Sequence, residues 1–144
     1  MTTRAQVIAE ARTWIGTRWQ HAQSTKGVGC DCIGLVRGVG MAVGLLPRDF
    51  ESLPSVAPYK GYGRLPDGRF RQGMAEHLVT VHGEWRPGDI LLLRLESNPI
   101  HCGFVSDIGM IHAWVAMRRV VEHGIDDVWR SRVVSVFAFP GMED

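Results

Sequence analysis

Cysteine is scarce in this chain of 144 residues: there are three, an odd number. A disulfide framework uses cysteines in pairs, so this count argues against one and leaves at least one thiol for another use. A chain of this length can bury a sizeable core without such cross-links. We therefore expect residues 1–144 to form a single domain.

Net charge and long apolar runs are lacking as well. The formal charge is +1, so composition gives no reason to expect a nucleic acid partner. No segment approaches the ~20 apolar residues that a membrane span needs, so we expect no membrane insertion. Residues 1–6 lack the apolar core of a secretory signal, which predicts a chain made in the cytoplasm without a signal peptide.

The hydrophobic pattern changes between the two halves of the chain. Thr3 and Gln6 match a capping box, and apolar residues at helical spacing follow as far as Ile15. A second helix is predicted from Ile33 to Leu46, and a third over residues 68–80. Apolar or alternating segments then predict strands over residues 90–95, 100–106, 110–115, 120–123 and 133–139. Helices followed by an antiparallel sheet indicate an α+β fold.

Residues 47–68 carry four prolines and three glycines, which predicts a long irregular loop. Long loops in compact domains often form the walls or lids of binding sites. Tyr59, Lys60 and Tyr62 at its centre suit contact with a substrate. An ordered surface loop without that role is an equally good interpretation.

The clearest chemical signal lies at residues 29–37, where Asp31 and Cys32 precede an apolar helical stretch. Asp31 is a good N-cap residue because its carboxylate accepts hydrogen bonds from N–H groups of the first turn. Cys32 then lies where the positive end of the helix dipole favours the thiolate, the reactive form of cysteine. We predict that Cys32 is a nucleophile. The alternative is a cysteine that fills the core, the interpretation that we give to Cys30 and Cys102.

Two histidines on neighbouring predicted strands supply the partners that such a thiol needs. Residues 107–109 predict a hairpin loop, and we take a two-residue loop at 107–108 to set the register, which a different loop length would shift. The two-residue loop places His101 opposite Trp114, with His112 as the diagonal neighbour of His101 on the same face. Diagonal Cβ atoms lie about 7–8 Å apart, within reach of two imidazole rings. We therefore predict that His101 is a general base and that His112 orients its ring.

A metal site is a further chemical alternative. Two cysteines and two histidines could supply its ligands: Cys30, Cys32, His101 and His112. The Cys-x-Cys spacing differs, however, from the pairs separated by two to four residues that are typical of structural zinc sites. We expect neither a metal nor an organic cofactor.

Four short motifs follow one another along the chain. They read Asp-Cys-Ile-Gly-Leu-Val at 31–36, Pro-Gly-Asp-Ile at 87–90, His-Cys-Gly-Phe at 101–104 and Ile-His-Ala at 111–113. In this order and at this spacing they resemble the motifs D-C-S-G-L-V, P-G-D-L, H-V-G-I and I-H-A of the NlpC/P60 cysteine peptidases. The resemblance covers most of the chain, from about residue 14 to residue 139.

The resemblance implies a papain-like α+β fold, with helices packed on a C-terminal antiparallel sheet. It also implies hydrolysis of peptide bonds in the peptidoglycan stem, between a γ-D-glutamyl residue and a diamino acid such as diaminopimelate. Position by position, Cys32 corresponds to the nucleophile, His101 to the general base and His112 to the third polar residue. The backbone N–H of Cys32, at the start of its helix, helps to form the oxyanion site.

Two positions depart from the family pattern. Many members have a tyrosine near the oxyanion site, and its best match here is Trp19, whose indole offers only an N–H donor. Gln20 and His21 are candidate substitutes for the tyrosine hydroxyl. We assign Asp31, Trp19 and His21 to the substrate-binding or oxyanion site. Many members also have a serine after the nucleophile, where this chain has Ile33.

Residues 26–39 resemble the phage-type branch of the family, which includes tail-associated cell-wall peptidases of phages and gene transfer agents. This branch implies phage-like tail-tip proteins as partners and the peptidoglycan stem peptide as substrate. It also implies action as part of a virion or gene-transfer-agent tail, on the cell wall in the periplasm of the target cell. Synthesis in the bacterial cytoplasm without a signal peptide agrees with such delivery. The departures at Trp19 and Ile33 leave an alternative, a catalytically weak or inactive structural subunit of a tail tip derived from a peptidase.

Overall fold

The computed structural model describes residues 1–56, 69–95 and 98–144. Three loop residues that suit contact with a substrate lie outside these ranges, so neither interpretation of that loop is tested: Tyr59, Lys60 and Tyr62. Across the described ranges, no helix has the length and apolar character needed to cross a membrane.

The first helix, α1, spans Arg4–Arg12 and begins at the predicted capping box. The Thr3 hydroxyl accepts a hydrogen bond from the N–H of Gln6 at 3.2 Å, and the Gln6 side chain accepts one from the N–H of Thr3 at 2.8 Å. The predicted continuation to Ile15 is wrong. The α-helix stops at Arg12, because the N–H groups of residues 13–15 bond to carbonyls three residues back, as in a 3₁₀ turn, and Gly16 follows with a φ of +91°.

The second helix, α2, spans Cys32–Ala42 and starts where the sequence predicts. It ends before the predicted limit at Leu46, because Gly44 leaves the helix with a φ of +77°. Gly38, inside the helix, permits close packing. A Cβ added there would lie 2.2 Å from the ring of Trp14.

Eight strands lie in the described residues: β1 Ser24–Thr25, β2 Gly29–Cys30, β3 Val79–Thr80, β4 Ile90–Leu95, β5 Asn98–Val105, β6 Met110–Trp114, β7 Arg119–His123 and β8 Val133–Ala138. The first two form a small ribbon, and the others form an antiparallel sheet in the order β3-β8-β4-β5-β6-β7. Helix α3 spans Arg69–His77, and α4 spans Asp127–Ser131. Helices followed by an antiparallel sheet confirm the α+β prediction.

The predicted third helix over residues 68–80 is too long at its C-terminal end. Val79 and Thr80 form strand β3 instead, paired with Ala138 and Phe137 of β8. Both residues are β-branched, which lowers their helix propensity and favours the strand that pairs with β8.

Apolar side chains cover both faces of the six-stranded sheet. On one face, Leu92 and Phe104 pack with Leu35 of α2 in the larger core cluster. On the other face, Leu91 packs in a smaller cluster with Trp129 of α4. The side chains of these strands therefore alternate between two buried faces, and α2 packs against β5 and β6.

An ion pair ties α1 to the turn before β4. Asp89 is fully buried, and its Oδ1 accepts a hydrogen bond from Nη1 of Arg4 at 2.7 Å. Its Oδ2 accepts from the N–H of Arg86 at 2.8 Å. Both carboxylate oxygens are thus satisfied, as burial of a charge requires.

Candidate active site

Cys32 is the first residue of α2, and Asp31 fixes the start of that helix. Oδ1 of Asp31 accepts a hydrogen bond from the N–H of Gly34 at 2.8 Å, which is the predicted N-cap interaction. Oδ2 accepts from the N–H of Ala22 at 2.7 Å. The buried carboxylate therefore holds both the helix start and the loop that precedes β1, and so fixes the backbone that carries Cys32.

The sulfur of Cys32 makes hydrogen-bonding contacts with two consecutive residues of β5, Cys102 and His101. The hydrogen bond with Cys102 is the largest influence that lowers the pKa of Cys32, followed by the hydrogen bond and the charge of His101. Burial and the negative charge of Asp31 act in the opposite direction. The net effect lowers the pKa of Cys32 from 9.0 to about 6, so the thiolate predominates at neutral pH.

The other two cysteines have the opposite electrostatics, and each is a thiol. Burial raises the pKa of Cys30 to about 12. Burial and the contact with Cys32 raise the pKa of Cys102 well above 9.0. Cys102 is therefore a protonated donor to the Cys32 sulfur. We predicted only a core-filling role for Cys102, so this contact is new.

The predicted hairpin register is confirmed. Phe104 pairs with Ile111 and Val105 with Met110, as a two-residue loop requires. The diagonal relationship of the two histidines follows from this register: Nε2 of His101 lies 2.6 Å from Nδ1 of His112.

Gly103 makes the approach of these strands possible. A Cβ added at Gly103 would lie only 2.8 Å from the Cβ of His112. Burial, together with the neighbouring His101 and His123, lowers the pKa of His112 to about 2. His112 is therefore neutral at physiological pH and can orient His101 without competing for its proton.

A third histidine continues the row, and sequence reasoning missed it. Nε2 of His123, on β7, lies 2.7 Å from Nε2 of His112. Each histidine is eleven residues from the next, on successive strands of one meander. The regular spacing could have indicated this contact, because strands that follow one another in sequence usually pair, as β6 and β7 do.

Trp19 and His21, which we assigned to the substrate or oxyanion site, lie in the loop before β1. Trp19 is half-buried and packs against the larger core cluster, and its backbone N–H donates to the carbonyl of Arg118 at 2.9 Å. His21 is exposed, and its Nδ1 is 4.0 Å from Oδ2 of Asp31. The loop geometry brings His21 to the residue before the nucleophile, and the roles of both side chains stay predictions.

Ile33, which replaces the serine of many family members, lines an apolar pocket between α2 and α3. The pocket is also bordered by Val36, Phe50, Phe70 and Met74. An apolar side chain at this position therefore has apolar surroundings to occupy.

The metal alternative requires Cys30, Cys32, His101 and His112 to surround one ion. Within the described ranges, no group of three or more histidine, cysteine, aspartate or glutamate side chains has the arrangement to hold a metal ion. Nδ1 of His112 and Nε2 of His101 are hydrogen-bonded to each other, so these two nitrogens do not point at a shared ion.

The fold and the site together define an α+β domain with a thiol at a helix N-terminus, beside a pair of hydrogen-bonded imidazoles. By sequence, no family model matches the chain and no curated protein is similar to it. Solved structures do match. The NlpC/P60 domain of the peptidoglycan hydrolase SagA is 21% identical with a TM-score of 0.60, and the match covers 95% of this chain and 99% of that one.

Two longer proteins are similar over part of their length. An NlpC/P60 family protein from Bacillus cereus has a TM-score of 0.68 at 15% identity, and the match covers 95% of this chain and 40% of that one. A lipoprotein-like NLP/P60 protein from Staphylococcus aureus has a TM-score of 0.65 at 15% identity, covering 98% and 42%. The chain therefore has the fold of NlpC/P60 domains, as the motifs predict.

Proposed function

We propose that this protein is a cysteine peptidase of the cell wall that hydrolyses peptide bonds in the peptidoglycan stem. The observation that carries the proposal is the contact of Cys32 with His101, which in turn contacts His112. A thiol with a pKa of about 6, beside an imidazole that is oriented by a neutral partner, has the parts of a Cys–His–His hydrolase.

The reaction runs through an acyl-enzyme. The Cys32 thiolate attacks the carbonyl carbon of the scissile peptide bond, and the backbone N–H of Cys32 stabilises the oxyanion. His101, protonated by the thiol, gives its proton to the leaving amine as the carbon–nitrogen bond breaks. Water, deprotonated by His101, then attacks the thioester, and the released sulfur returns to the thiolate.

For the substrate, we propose the bond between a γ-D-glutamyl residue and a diamino acid. Two observations support this choice: the order of the four motifs, and the structural similarity to the NlpC/P60 domain of a peptidoglycan hydrolase. In this proposal Asp31 shapes the site through its hold on the loop, and Trp19 and His21 border the oxyanion or substrate site.

For delivery, we propose that the protein acts as part of a phage-like or gene-transfer-agent tail, with tail-tip proteins as partners. The support is the resemblance of residues 26–39 to the phage-type branch. The protein would be made in the bacterial cytoplasm and would meet its substrate in the periplasm of a target cell. Neither step requires nucleic acid binding or membrane insertion.

Digestion of purified stem peptides, with products identified by mass spectrometry, tests the activity. We expect wild-type protein to cleave beside D-glutamate, Cys32→Ala to show no cleavage, and Cys30→Ala to cleave as wild type does. Cys30 is the matched control because it is a buried cysteine two residues away with a raised pKa.

Two outcomes would overturn the proposal. One is cleavage by Cys32→Ala at the wild-type rate, which would place the chemistry elsewhere. The other is no cleavage by folded wild-type protein across stem peptides of several compositions. That second result would favour a structural tail-tip subunit, with Trp19 and Ile33 as the first positions to examine.

A further inference from the structure

We infer that His123 is a positioning residue of this site, which acts through His112 to keep a hydrogen-bond acceptor directed at His101. The effect on catalysis rests on the proposed function. The proton positions in the row of histidines can be measured without any substrate.

The three imidazoles form a continuous hydrogen-bonded row across β5, β6 and β7. Nε2 of His101 is 2.6 Å from Nδ1 of His112, and Nε2 of His112 is 2.7 Å from Nε2 of His123. The row ends on a backbone group, because Nδ1 of His123 lies 2.8 Å from the carbonyl oxygen of Gly124. Every ring nitrogen in the row except Nδ1 of His101 is thus used within it.

The terminal carbonyl determines where the protons lie. A carbonyl oxygen can only accept, so Nδ1 of His123 carries a proton. A neutral His123 then has its lone pair on Nε2 and accepts from Nε2–H of His112. A neutral His112 with its proton on Nε2 has its lone pair on Nδ1, where it accepts from Nε2–H of His101.

This arrangement leaves Nδ1 of His101 for the Cys32 thiol. When Nδ1 takes the thiol proton, His101 becomes an imidazolium, and its Nε2–H remains hydrogen-bonded to the lone pair of His112. If His112 carried its proton on Nδ1 instead, two N–H groups would face each other across 2.6 Å. The imidazolium, and with it the thiolate, would then be disfavoured.

The surroundings of His112 restrict other arrangements of the row. Trp114 stacks on the ring of His112 with centroids 5.5 Å apart, and Trp129 meets it edge-on at 5.2 Å. Trp129 also contacts His123, with centroids 5.1 Å apart. The low pKa of His112, about 2, keeps it neutral, so it cannot donate from both nitrogens at once. The single ring proton of His112 therefore lies on either Nδ1 or Nε2, and the acceptor on His123 favours Nε2.

Two substitutions of His123 distinguish loss of the hydrogen-bond acceptor from loss of the imidazole ring. His123→Leu removes the acceptor, whereas the side-chain oxygen of His123→Gln can occupy the position of Nε2 and accept from His112. His82→Leu, at an exposed histidine outside the row, is the control for a histidine-to-leucine change. Folding of each variant is checked by thermal denaturation.

The first readout is ¹⁵N–¹H correlation NMR of the histidine rings in protein without substrate. We expect His112 to be the Nε2–H tautomer in wild type, His123→Gln and His82→Leu. In His123→Leu we expect a population with the proton on Nδ1. A wild-type His112 that carries its proton on Nδ1 overturns the proposal even if His123→Leu does not fold, and so does an unchanged tautomer in folded His123→Leu.

The second readout is the rate of Cys32 alkylation by iodoacetamide near neutral pH. We expect His123→Leu to react about tenfold more slowly than wild type, by analogy with the lower end of the losses seen when the partner that orients a metal-binding histidine is removed. His123→Gln should retain the wild-type rate, and an equal loss in His123→Gln and His123→Leu overturns the acceptor role. Because neither readout uses a peptide, a failure of the proposed peptidase function leaves both results interpretable.

Discussion

Nε2 of His101 lies 2.6 Å from Nδ1 of His112, so the candidate base is held by a side chain from the adjacent strand. His112 is fully buried and, with a pKa of about 2, neutral. It can therefore accept a hydrogen bond from His101 but cannot replace it as the base. The two histidines consequently have different roles although their side chains are chemically identical.

Removal of the acceptor at His112 should impair catalysis more than folding. We expect His112→Leu to lower kcat on the order of 10²- to 10⁴-fold, the range that positioned acid–base groups contribute. His112→Asn should lose less, because its side-chain oxygen can stand near the position of Nδ1. Steady-state kinetics with a cleavable stem peptide measures the difference. Equal losses in two folded variants would contradict an acceptor role.

Cys102 should influence the ionisation of Cys32. Its hydrogen bond is the largest influence that lowers the pKa of Cys32, so Cys102→Ala should move that pKa upward. Cys102→Ser retains a donor and should move it less. The pH dependence of Cys32 alkylation gives the pKa in each variant. A midpoint in Cys102→Ala equal to that of wild type would show that the contact does not act on the thiolate.

Asp31→Asn should lower both the stability of the protein and the pKa of Cys32. One of the two backbone N–H groups bound by Asp31 would lose its acceptor, at a cost of about 1–3 kcal/mol in the free energy of unfolding. The negative charge of Asp31 raises the pKa of Cys32, so its removal should lower that pKa. Denaturant unfolding and alkylation profiles measure the two effects. A higher pKa in the folded variant would contradict this account.

Asp89→Ala should destabilise the protein without acting on the site. It breaks a 2.7 Å pair with Arg4 in which Asp89 is fully buried. We expect a loss of about 3 kcal/mol in the free energy of unfolding, at the low end for a broken buried pair because Arg4 retains some access to water.

The exposed partner of Arg4 provides the control for that loss. Asp144 forms a second ion pair with Arg4 at 2.9 Å, with 73% of its side chain exposed. Asp144→Ala should therefore cost much less than Asp89→Ala, because water screens an exposed ion pair. Urea unfolding measures the free energy of unfolding of both variants. Similar losses in Asp89→Ala and Asp144→Ala would show that burial of Asp89 does not strengthen its pair with Arg4.

The parts of the fold that depend on local sequence were predictable. The capping box of α1, the N-cap of α2 and the two-residue hairpin loop all follow from neighbouring residues. The loop mattered most, because it fixed the register that joins His101 to His112. Helix ends were less predictable: α1 stops at Arg12, before the predicted end at Gly16, and Gly44 ends α2 through a positive φ value that sequence periodicity does not reveal.

The contacts that depend on tertiary packing were missed. Alternation correctly separated Cys102 from His101 along β5, but it does not reveal that the N-terminus of α2 would meet both. His123 belongs to a predicted strand, yet its contact with His112 requires that β7 pair with β6 in one register. The sequence therefore predicted that His101 and His112 meet, but it did not predict the contacts of Cys32 with Cys102 or of His112 with His123.

The pH dependence of Cys32 alkylation measures whether Cys32 is a thiolate held beside His101. Folded wild-type protein is treated with limiting iodoacetamide across a pH series, and the modified cysteines are identified by peptide mapping. We expect Cys32 to react before Cys30 and Cys102, with a midpoint near pH 6. Labelling of Cys30 or Cys102 first, or a Cys32 midpoint near its ordinary pKa of 9.0, would contradict this expectation.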